Sequence, residues 1–262
     1  MNAASRRASI RETVDREGYA RLKLLSEEFN VTPLTIHRDL DALVSDGLIE
    51  RVRGGARSLV TPRHVIRNDF NARRGQATQH KLEIARRALK EVPDGATIFL
   101  DSSTTVFALA QQFELEPSRA LTLVTNSPAI GYLFTAPYVH VITVPGEVDQ
   151  SLRSITGRWA AEFLEGLSFS VAFVSAAGIT VERGLMTTQR DLADVMRVAL
   201  RRSDRHVALM DSTKFDTPAL ISMATLDDLD LVITDNGLAQ SIEDRYMSNG
   251  LHLVRSDDDD SD

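Results

Sequence analysis

The sequence predicts an α/β protein, with a small helical N-terminal domain and a larger domain built on a mostly parallel sheet. Two amphipathic helical patterns and a basic segment with strand-like alternation occupy residues 22–57. From Pro93 onward, short apolar runs alternate with helical patterns, which is typical of a parallel sheet covered by helices. Residues 1–90 carry 18 basic and 11 acidic side chains, whereas residues 91–262 carry 12 and 26. This asymmetry indicates that the N-terminal domain binds an anionic partner.

Length and composition exclude several classes of protein. The 262 residues suffice for two domains with apolar cores. No apolar run reaches membrane-spanning length, and the N-terminal stretch lacks the apolar centre of a signal peptide, so we expect a cytoplasmic protein without a membrane partner. The absence of cysteine excludes disulfides, cysteine-ligated metals and thiol catalysis.

The N-terminal domain is predicted to contain three helices, over residues 6–17, 22–29 and 33–45, with a break at residues 18–20. In the third helix Ile36, Leu40 and Leu43 follow one another at spacings of four and three, so they share one face. That face should pack on Leu24, Leu25 and Phe29 of the second helix.

The third helix presents polar side chains on its other face, near its N-terminal end: Thr32, Thr35, His37 and Arg38. Hydroxyl, imidazole and guanidinium groups can hydrogen-bond phosphates and base edges in a major groove. An alternative role for Thr32 is to cap the helix, because Pro33 follows at the first helical position.

Residues 48–57 follow the helix-ending Gly47 and are predicted to form a two-stranded wing. Arg51 and Arg53 alternate with Ile49 and Val52, which gives one basic face and one apolar face. The alternative is a plain helical hairpin with solvated arginines. The short turn, the helix spacing and the basic wing together favour DNA binding.

This stretch resembles the winged helix-turn-helix of the DeoR family of bacterial transcription regulators. The resemblance implies operator binding. The family usually has Ser where Thr32 stands, which keeps the hydroxyl, and Arg where His37 stands, which implies a different operator sequence or a different pH dependence of binding. The matching positions are Arg6, Ile10, Gly18, Leu25, Phe29, Val31, Thr32, Thr35, Ile36, Arg38, Asp39, Leu40, Gly47, Gly54, Gly55 and Ala56.

The domain boundaries follow from composition. Residues 1–58 are predicted to form the DNA-binding domain, and residues 59–76, which contain a proline and four arginines, are predicted to be a linker. An amphipathic helix over residues 78–90 then opens the larger domain, 77–256. The acidic tail, 257–262, is expected to be disordered; the alternative is a self-inhibitory contact with the basic domain.

Six strands and five further helices are predicted in the larger domain. The strands are 97–100, 121–125, 139–144, 171–175, 206–210 and 231–234. The helices are 105–113, 128–136, 159–164, 191–202 and 238–247. Parallel sheets of this kind bind ligands beyond the carboxyl ends of their strands.

Polar clusters follow several of these strands, at the edge where a ligand is expected. A run of small hydroxyls before a helix offers backbone N–H groups and the positive dipole end to a phosphate, whereas a plain helix cap needs one hydroxyl. That run comprises Asp101, Ser102, Ser103, Thr104 and Thr105. The later clusters contribute Asn126, the segments 145–146 and 151–157, Ser175, Gly178 and Lys214, whose charge suits an anionic ligand.

The clusters also resemble the C-terminal effector domain of the DeoR family, which is similar to ribose-5-phosphate isomerase and coenzyme A transferases in fold. The resemblance implies that the domain senses a phosphorylated sugar or related metabolite. The residues that match the family are Asp101, Ser103 to Thr105, Thr125, Asn126, Gly178, Gly184, Leu185 and Asp211 to Phe215. The sequence departs from the family at Ser103, where Gly is usual, at Pro145, where a Gly-Gly pair is usual, and at Met196, where Lys is often found.

Three functions compete for the larger domain. An isomerase needs a carboxylate base in the loop after the fourth strand, and residues 175–178 read Ser-Ala-Ala-Gly there. A purely structural body used for assembly leaves the Ser, Thr and Lys clusters unexplained. A sensor accounts for them, so we expect a ligand-responsive repressor of carbohydrate genes. We expect it to bind double-stranded DNA as a homodimer or homotetramer, without a metal or cofactor and without enzyme activity.

Overall fold

A computed structural model of the chain describes residues 3–17, 19–52, 54–58, 70–115 and 120–258. The chain divides into two compact units, residues 1–69 and 70–262. Among the described residues no helix is both long enough and apolar enough to cross a membrane.

The first unit is a three-helix fold with a small antiparallel sheet. Its helices are α1 (Ala3–Glu17), α2 (Leu22–Glu28) and α3 (Pro33–Ser45), and its strands are β1 (Tyr19–Arg21), β2 (Ile49–Val52) and β3 (Gly55–Ser58). The wing is confirmed as β2 paired with β3. The predicted break before α2 is instead a third strand, because β1 pairs with β3 and buries Ala20.

The core of the first unit lies where α1, α2 and α3 meet. Ile36, Leu40 and Leu43 are all buried there, as their spacing predicts, and Leu25 of α2 is buried with them. Leu24 does not join this core, since it is 57% exposed on the other face of α2. Adjacent residues of an α-helix point in different directions around its axis, so only one of the two leucines faces the core.

The second unit is organised on a parallel sheet. Its helices are α4 (Phe70–Gly75), α5 (Thr78–Ala88), α6 (Thr104–Leu115), α7 (Pro128–Gly131), α8 (Arg158–Glu165), α9 (Arg190–Arg201) and α10 (Gln240–Ser248). Its strands are β4 (Thr97–Leu100), β5 (Leu121–Thr125), β6 (Val139–Thr143), β7 (Glu147–Asp149), β8 (Ser154–Thr156), β9 (Val171–Val174), β10 (Gly178–Thr180), β11 (Gly184–Thr187), β12 (His206–Leu209), β13 (Ile221–Ala224), β14 (Leu231–Thr234) and β15 (Leu253–Arg255).

In the described part of this unit, seven strands form one sheet in the order β15-β14-β12-β9-β4-β5-β6, and every neighbouring pair is parallel. Apolar side chains project from both faces of this sheet. Phe99 packs in the cluster that includes α8 and α9, while Ile98 and Leu100 pack in the cluster that includes α5 and α6. The predicted parallel sheet with helices on both faces is thus confirmed.

Some short elements were not predicted. They are the edge strand β15, the hairpin β7-β8 and the antiparallel sheet β10-β11-β13. The helix predicted over 128–136 ends at Gly131, where a Cβ atom would lie only 2.5 Å from the Thr143 side chain.

The last part of the predicted linker is the helix α4. Phe70 is 1% exposed and packs edge-on against Phe107, with the ring centroids 5.6 Å apart. Its backbone N–H donates to the Ser151 carbonyl at 2.9 Å. Because an aromatic anchor ties it to the sheet domain, this segment belongs to the second unit. Residues 59–69 of the linker and 259–262 of the tail lie outside the described residues.

Candidate DNA-binding surface and effector site

The N-terminal end of α3 is closed by Thr32. Its Oγ1 accepts a hydrogen bond from the Thr35 backbone N–H at 3.3 Å, and Pro33 occupies the first helical position. The two threonine hydroxyls are also 3.0 Å apart and hydrogen-bonded to each other. Thr32 therefore has the capping role that the sequence allowed, and both hydroxyls lie at an accessible helix end.

An ion pair between a buried carboxylate and a partly buried guanidinium fixes the inner face of α3. Arg6 of α1 donates from Nε to Asp39 Oδ2 at 2.6 Å and from Nη2 to Asp39 Oδ1 at 3.3 Å. The bond to Asp39 raises the pKa of Arg6 above its usual value. The sequence reasoning missed this pair. It could have been found, since Asp39 lies between Ile36 and Leu40 on the buried face, where a carboxylate needs a partner.

The outer face of α3 meets the wing through His37. The Arg51 Nη2 atom of β2 lies 2.5 Å from His37 Nδ1, and its Nε lies 4.0 Å from Asp41 Oδ1. Because a guanidinium only donates, Nδ1 accepts and carries no proton in this contact. Arg38 is exposed and has no ion pair with the residues that the structure describes. Arg53 lies outside the described residues.

The candidate effector site is built where β4, β5, β9 and β12 end. Asp101, directly after β4, is 3% exposed. Its Oδ1 accepts from the Ser103 N–H at 2.8 Å and its Oδ2 from the Ser175 N–H at 2.6 Å. Burial raises the pKa of Asp101, and these hydrogen bonds oppose that change. The carboxyl group thereby ties the loop after β4 to the loop after β9.

The hydroxyl run at the start of α6 has separate roles. Ser103 Oγ caps the helix by accepting from the Val106 N–H at 3.1 Å. Thr104 and Thr105 lie buried in the first turn. Among the described residues Thr105 Oγ1 has no hydrogen-bond partner. One hydroxyl is thus a cap, and Thr105 keeps an unused donor and acceptor.

Asn126 links the loop after β5 to the hairpin β7-β8. It is fully buried, and its Nδ2 donates to Ser154 Oγ at 3.0 Å and to the Ile155 carbonyl at 3.2 Å. A longer contact of 3.5 Å reaches Ser102 Oγ. Because a carbonyl can only accept, the contact with Ile155 fixes the orientation of the amide. Within the described part of the chain Asn126 Oδ1 has no donor.

Lys214 supplies the cation of the site. Its Nζ donates to Ser175 Oγ at 2.8 Å and lies 3.8 Å from Asp211 Oδ2. Burial lowers the pKa of Lys214 to about 8, with Asp211 and Asp101 acting in the opposite sense. Asp101, Ser175 and Lys214 thus form one connected chain across three strand ends.

Asp235 belongs to the same edge and was missed. It directly follows β14, is 1% exposed, and accepts from the Ser212 N–H at 2.7 Å and the Ser212 hydroxyl at 2.8 Å. The sequence could have indicated Asp235, because it directly follows a strand as Asp101 does, and Asp211 lies two residues after the end of β12.

Gly178 has a packing role at the start of β10. A Cβ atom there would lie 1.9 Å from the Thr217 carbonyl oxygen, so only glycine allows the two backbones to approach. Its assignment to the effector site stays a prediction.

Comparisons with known proteins cover both units. The model of the DeoR-like helix-turn-helix domain matches residues 6–61, and that of the DeoR C terminal sensor domain matches residues 76–236. The HTH-type transcriptional regulator GolR of Listeria innocua serovar 6a is 31% identical over 252 residues, which cover 94% of this chain and 96% of the relative.

Two similar relatives are repressors. The lactose phosphotransferase system repressor of Lactococcus lactis subsp. lactis is 29% identical, over 91% of this chain and 93% of its own. The glycerol-3-phosphate regulon repressor of Escherichia coli is also 29% identical, over 90% and 92%. Since one sensor-domain model matches more than half of the chain and a regulator is 31% identical over nearly its full length, this protein belongs to the DeoR family of transcription regulators.

Proposed function

We propose that this regulator represses genes for uptake or breakdown of a carbohydrate, and that a phosphorylated sugar or related metabolite controls its DNA affinity. The observation that carries the proposal is the buried Lys214 ammonium, joined through Ser175 to Asp101 beside the N-terminal end of α6. A cation and free backbone N–H groups at one place suit a phosphate. The names of the lactose and glycerol-3-phosphate repressors support this ligand class.

The DNA-binding surface is the outer face of α3 with the wing. Thr35, His37 and Arg38 lie nearest the bases in this proposal, and Arg51 and Arg53 bind phosphates, while Thr32 offers its hydroxyl at the helix end. The contact of His37 with Arg51 supports a surface in which helix and wing act together. Direct readout would come chiefly from Arg38, because guanidinium groups bind guanine edges with two hydrogen bonds.

The effector surface combines three kinds of group. Lys214 and the segment from Ser102 to Thr105 would bind the phosphate, with the Ser103 N–H held by Asp101 and the other backbone N–H groups available. Asp101 and the unused Oδ1 of Asn126 would bind sugar hydroxyls, which donate hydrogen bonds. Gly178 would shape the wall of the site. The roles follow from which atoms are donors and which are free acceptors.

A single α3 makes few base contacts, so the proposed regulator acts as a cytoplasmic homodimer or homotetramer on repeated half-sites. Residues 1–58 would carry the DNA-binding activity and residues 70–256, the predicted domain 77–256 extended by α4, the effector-binding activity, with the acidic tail 257–262 serving solubility. Sedimentation of the full chain with and without operator DNA measures the oligomer. A monomer on DNA at all concentrations contradicts this part of the proposal.

The test is fluorescence anisotropy of the full chain on its own upstream DNA, across a salt series and then with a panel of sugar phosphates. We expect steep salt dependence, because lysines and arginines displace counterions from DNA. Arg38→Ala should weaken operator binding about 10- to 100-fold, the value of a lost bidentate base contact. The same variant should bind ligand normally.

The result that favours the alternative function is tight operator binding that no phosphorylated compound changes. In that case the second unit would serve assembly only.

The control for Arg38→Ala is Arg86→Ala, which removes an exposed positive charge from α5 and so measures the non-specific effect of losing one charge.

A further inference from the structure

On the outer face of α3, a contact from the wing limits how His37 can form hydrogen bonds. His37 is exposed near the start of the helix, and Arg51 of β2 places its Nη2 atom 2.5 Å from His37 Nδ1. The Arg51 Nε atom lies 4.0 Å from Asp41 Oδ1, one helical turn beyond His37. The Arg51 side chain is only 28% exposed, so it lies against the helix between these two residues.

This contact decides which ring nitrogen of His37 carries the proton. A guanidinium has five N–H donors and no acceptor, so Nδ1 supplies a lone pair. A proton on Nδ1 would direct an N–H group at the positively charged guanidinium, so the contact requires the neutral ring protonated at Nε2. Among the residues that the structure describes, the His37 ring has no second hydrogen-bond partner. Its Nε2–H group is therefore an unused donor on the exposed face of α3.

A side chain that can only donate is restricted in the bases it can read. In the major groove, guanine presents two adjacent acceptors, N7 and O6. Adenine presents an acceptor beside a donor, thymine an acceptor beside a methyl group, and cytosine a donor. A ring with an accessible Nδ1 acceptor could also bind the amino groups of adenine and cytosine. With Nδ1 held by Arg51, guanine is the base that matches the remaining group best.

We propose that Arg51 fixes His37 as a hydrogen-bond donor, and that His37 thereby selects a guanine in each operator half-site. Arg51 is then a positioning residue, in addition to the phosphate contact assigned to it above. The inference rests on the proposed function, because it names the base that is read by a residue of the DNA-binding surface. It does not depend on which effector the second unit binds.

The experiment measures the affinity of the full chain for its own upstream DNA by fluorescence anisotropy, at about pH 8 so that exposed imidazoles are neutral. Each guanine of the operator is replaced in turn by 7-deazaguanine, which lacks the N7 acceptor. In a second series each G·C pair becomes A·T, which replaces the O6 acceptor by an amino group. The proteins are the parent, His37→Ala, Arg51→Met and Arg57→Met. Arg57 is the matched control, because it is a wing arginine whose described partner is Glu50 of the wing.

We expect at least one guanine in each half-site at which one of the two replacements weakens binding by the parent about 3- to 10-fold, as for loss of one hydrogen bond. The same replacement should leave the affinity of His37→Ala unchanged, because the donor is already absent. Arg51→Met should bind every fragment more weakly through its lost charge, and replacing that guanine should cost it less than it costs the parent. Arg57→Met should show the full cost.

A measurement on the free protein tests the positioning role without DNA. Nitrogen-15 NMR of labelled histidine distinguishes a protonated from an unprotonated ring nitrogen, and His37→Gln identifies the His37 signals among those of the six histidines. We expect an unprotonated Nδ1 whose resonance moves in Arg51→Met, because it loses its hydrogen bond, and stays in place in Arg57→Met. A proton on Nδ1, or an unchanged resonance in Arg51→Met, overturns the inference.

Failure of the inference and failure of the proposed function give different results. If every guanine replacement costs His37→Ala as much as the parent, or if Arg51→Met shows the full cost, the inference is wrong. Sequence-specific binding by the parent would then still support the proposed operator. If the parent shows no sequence preference in its upstream DNA, the proposed operator binding is wrong, and the inference fails with it.

Discussion

The Arg6–Asp39 pair of the first unit and the polar residues of the candidate effector site in the second differ in how fully their hydrogen-bonding groups are satisfied. In the first unit, Arg6 and Asp39 bind each other through two hydrogen bonds. In the second, Lys214 has one hydroxyl and a more distant carboxylate, and Asn126 Oδ1 and Thr105 Oγ1 have no partner among the described residues. The closed pair serves the fold, because each charge has an opposite charge hydrogen-bonded to it. Buried polar atoms without hydrogen-bond partners lower the stability of the fold, and a ligand could supply the missing partners.

The largest effect is expected from breaking the closed pair. Asp39→Ala leaves Arg6 without its carboxylate and should lower the melting temperature of the first unit by roughly 4–8 °C or more, with loss of operator binding. Calorimetry of the full chain measures the shift. Asp41→Ala, an exposed carboxylate on the same helix, should change the melting temperature little. Equal shifts for the two variants would refute a special role for the pair.

Removing the Lys214 charge from the candidate effector site should weaken ligand binding and leave operator binding unchanged, in contrast to Asp39→Ala. Lys214→Met keeps the length of the side chain and should weaken binding of a phosphorylated ligand about 10- to 100-fold, because a charge-assisted bond to the phosphate is lost. Operator binding without ligand should be unchanged. Titration calorimetry measures the affinity. A variant that releases DNA at the parent's ligand concentration would remove Lys214 from the site.

The acidity of Lys214 should give ligand binding a pH optimum. The pKa of Lys214 is lowered to about 8, so its charge is lost as the pH rises through that value. A phosphate monoester loses its second charge below about pH 6. Affinity should therefore be greatest between these values and fall about tenfold per pH unit well above 8. Calorimetry from pH 5.5 to about pH 9.5 tests this, and affinity that stays constant above pH 8 speaks against it.

The stability of the ligand-free protein should change in the other direction. The unfolded chain holds the Lys214 proton up to its ordinary pKa of 10.5, whereas the folded protein releases it near 8. The unfolded state thus binds more protons between these values, so the contribution of Lys214 to the free energy of unfolding rises with pH there.

The smallest effect is expected at Thr105. Thr105→Val replaces a hydroxyl that has no partner in the described structure with a methyl group of similar volume, so the melting temperature should stay the same or rise slightly. Ligand affinity should fall by a few fold if the ligand uses this hydroxyl. A marked loss of stability would show that Thr105 Oγ1 is satisfied in the free protein.

Sequence periodicity predicted the parts of the fold that depend on neighbours along the chain. The spacing of Ile36, Leu40 and Leu43 located the buried face of α3, and residues after strand ends located Asp101, Asn126 and Lys214. It could not show that Ser175 joins Asp101 to Lys214, or that Asn126 reaches Ser154, because those partners lie 28 to 74 residues apart. Strands of three residues, such as β1 and β10, are too short to show a period. The segment around Phe70 was predicted to be a linker because it is rich in arginine, although Phe70 itself is buried in the second unit.

The helix α3 also has a consequence for how such a protein can evolve. Its inner face is held by the Arg6–Asp39 pair and by buried Ile36 and Leu40, so substitutions there threaten the fold. Its outer positions, such as His37 and Arg38, are exposed, and substitutions there leave the core intact. On the proposed DNA-binding face, new operator preferences could therefore arise one substitution at a time without loss of stability, and paralogues with one fold could diverge to serve different genes.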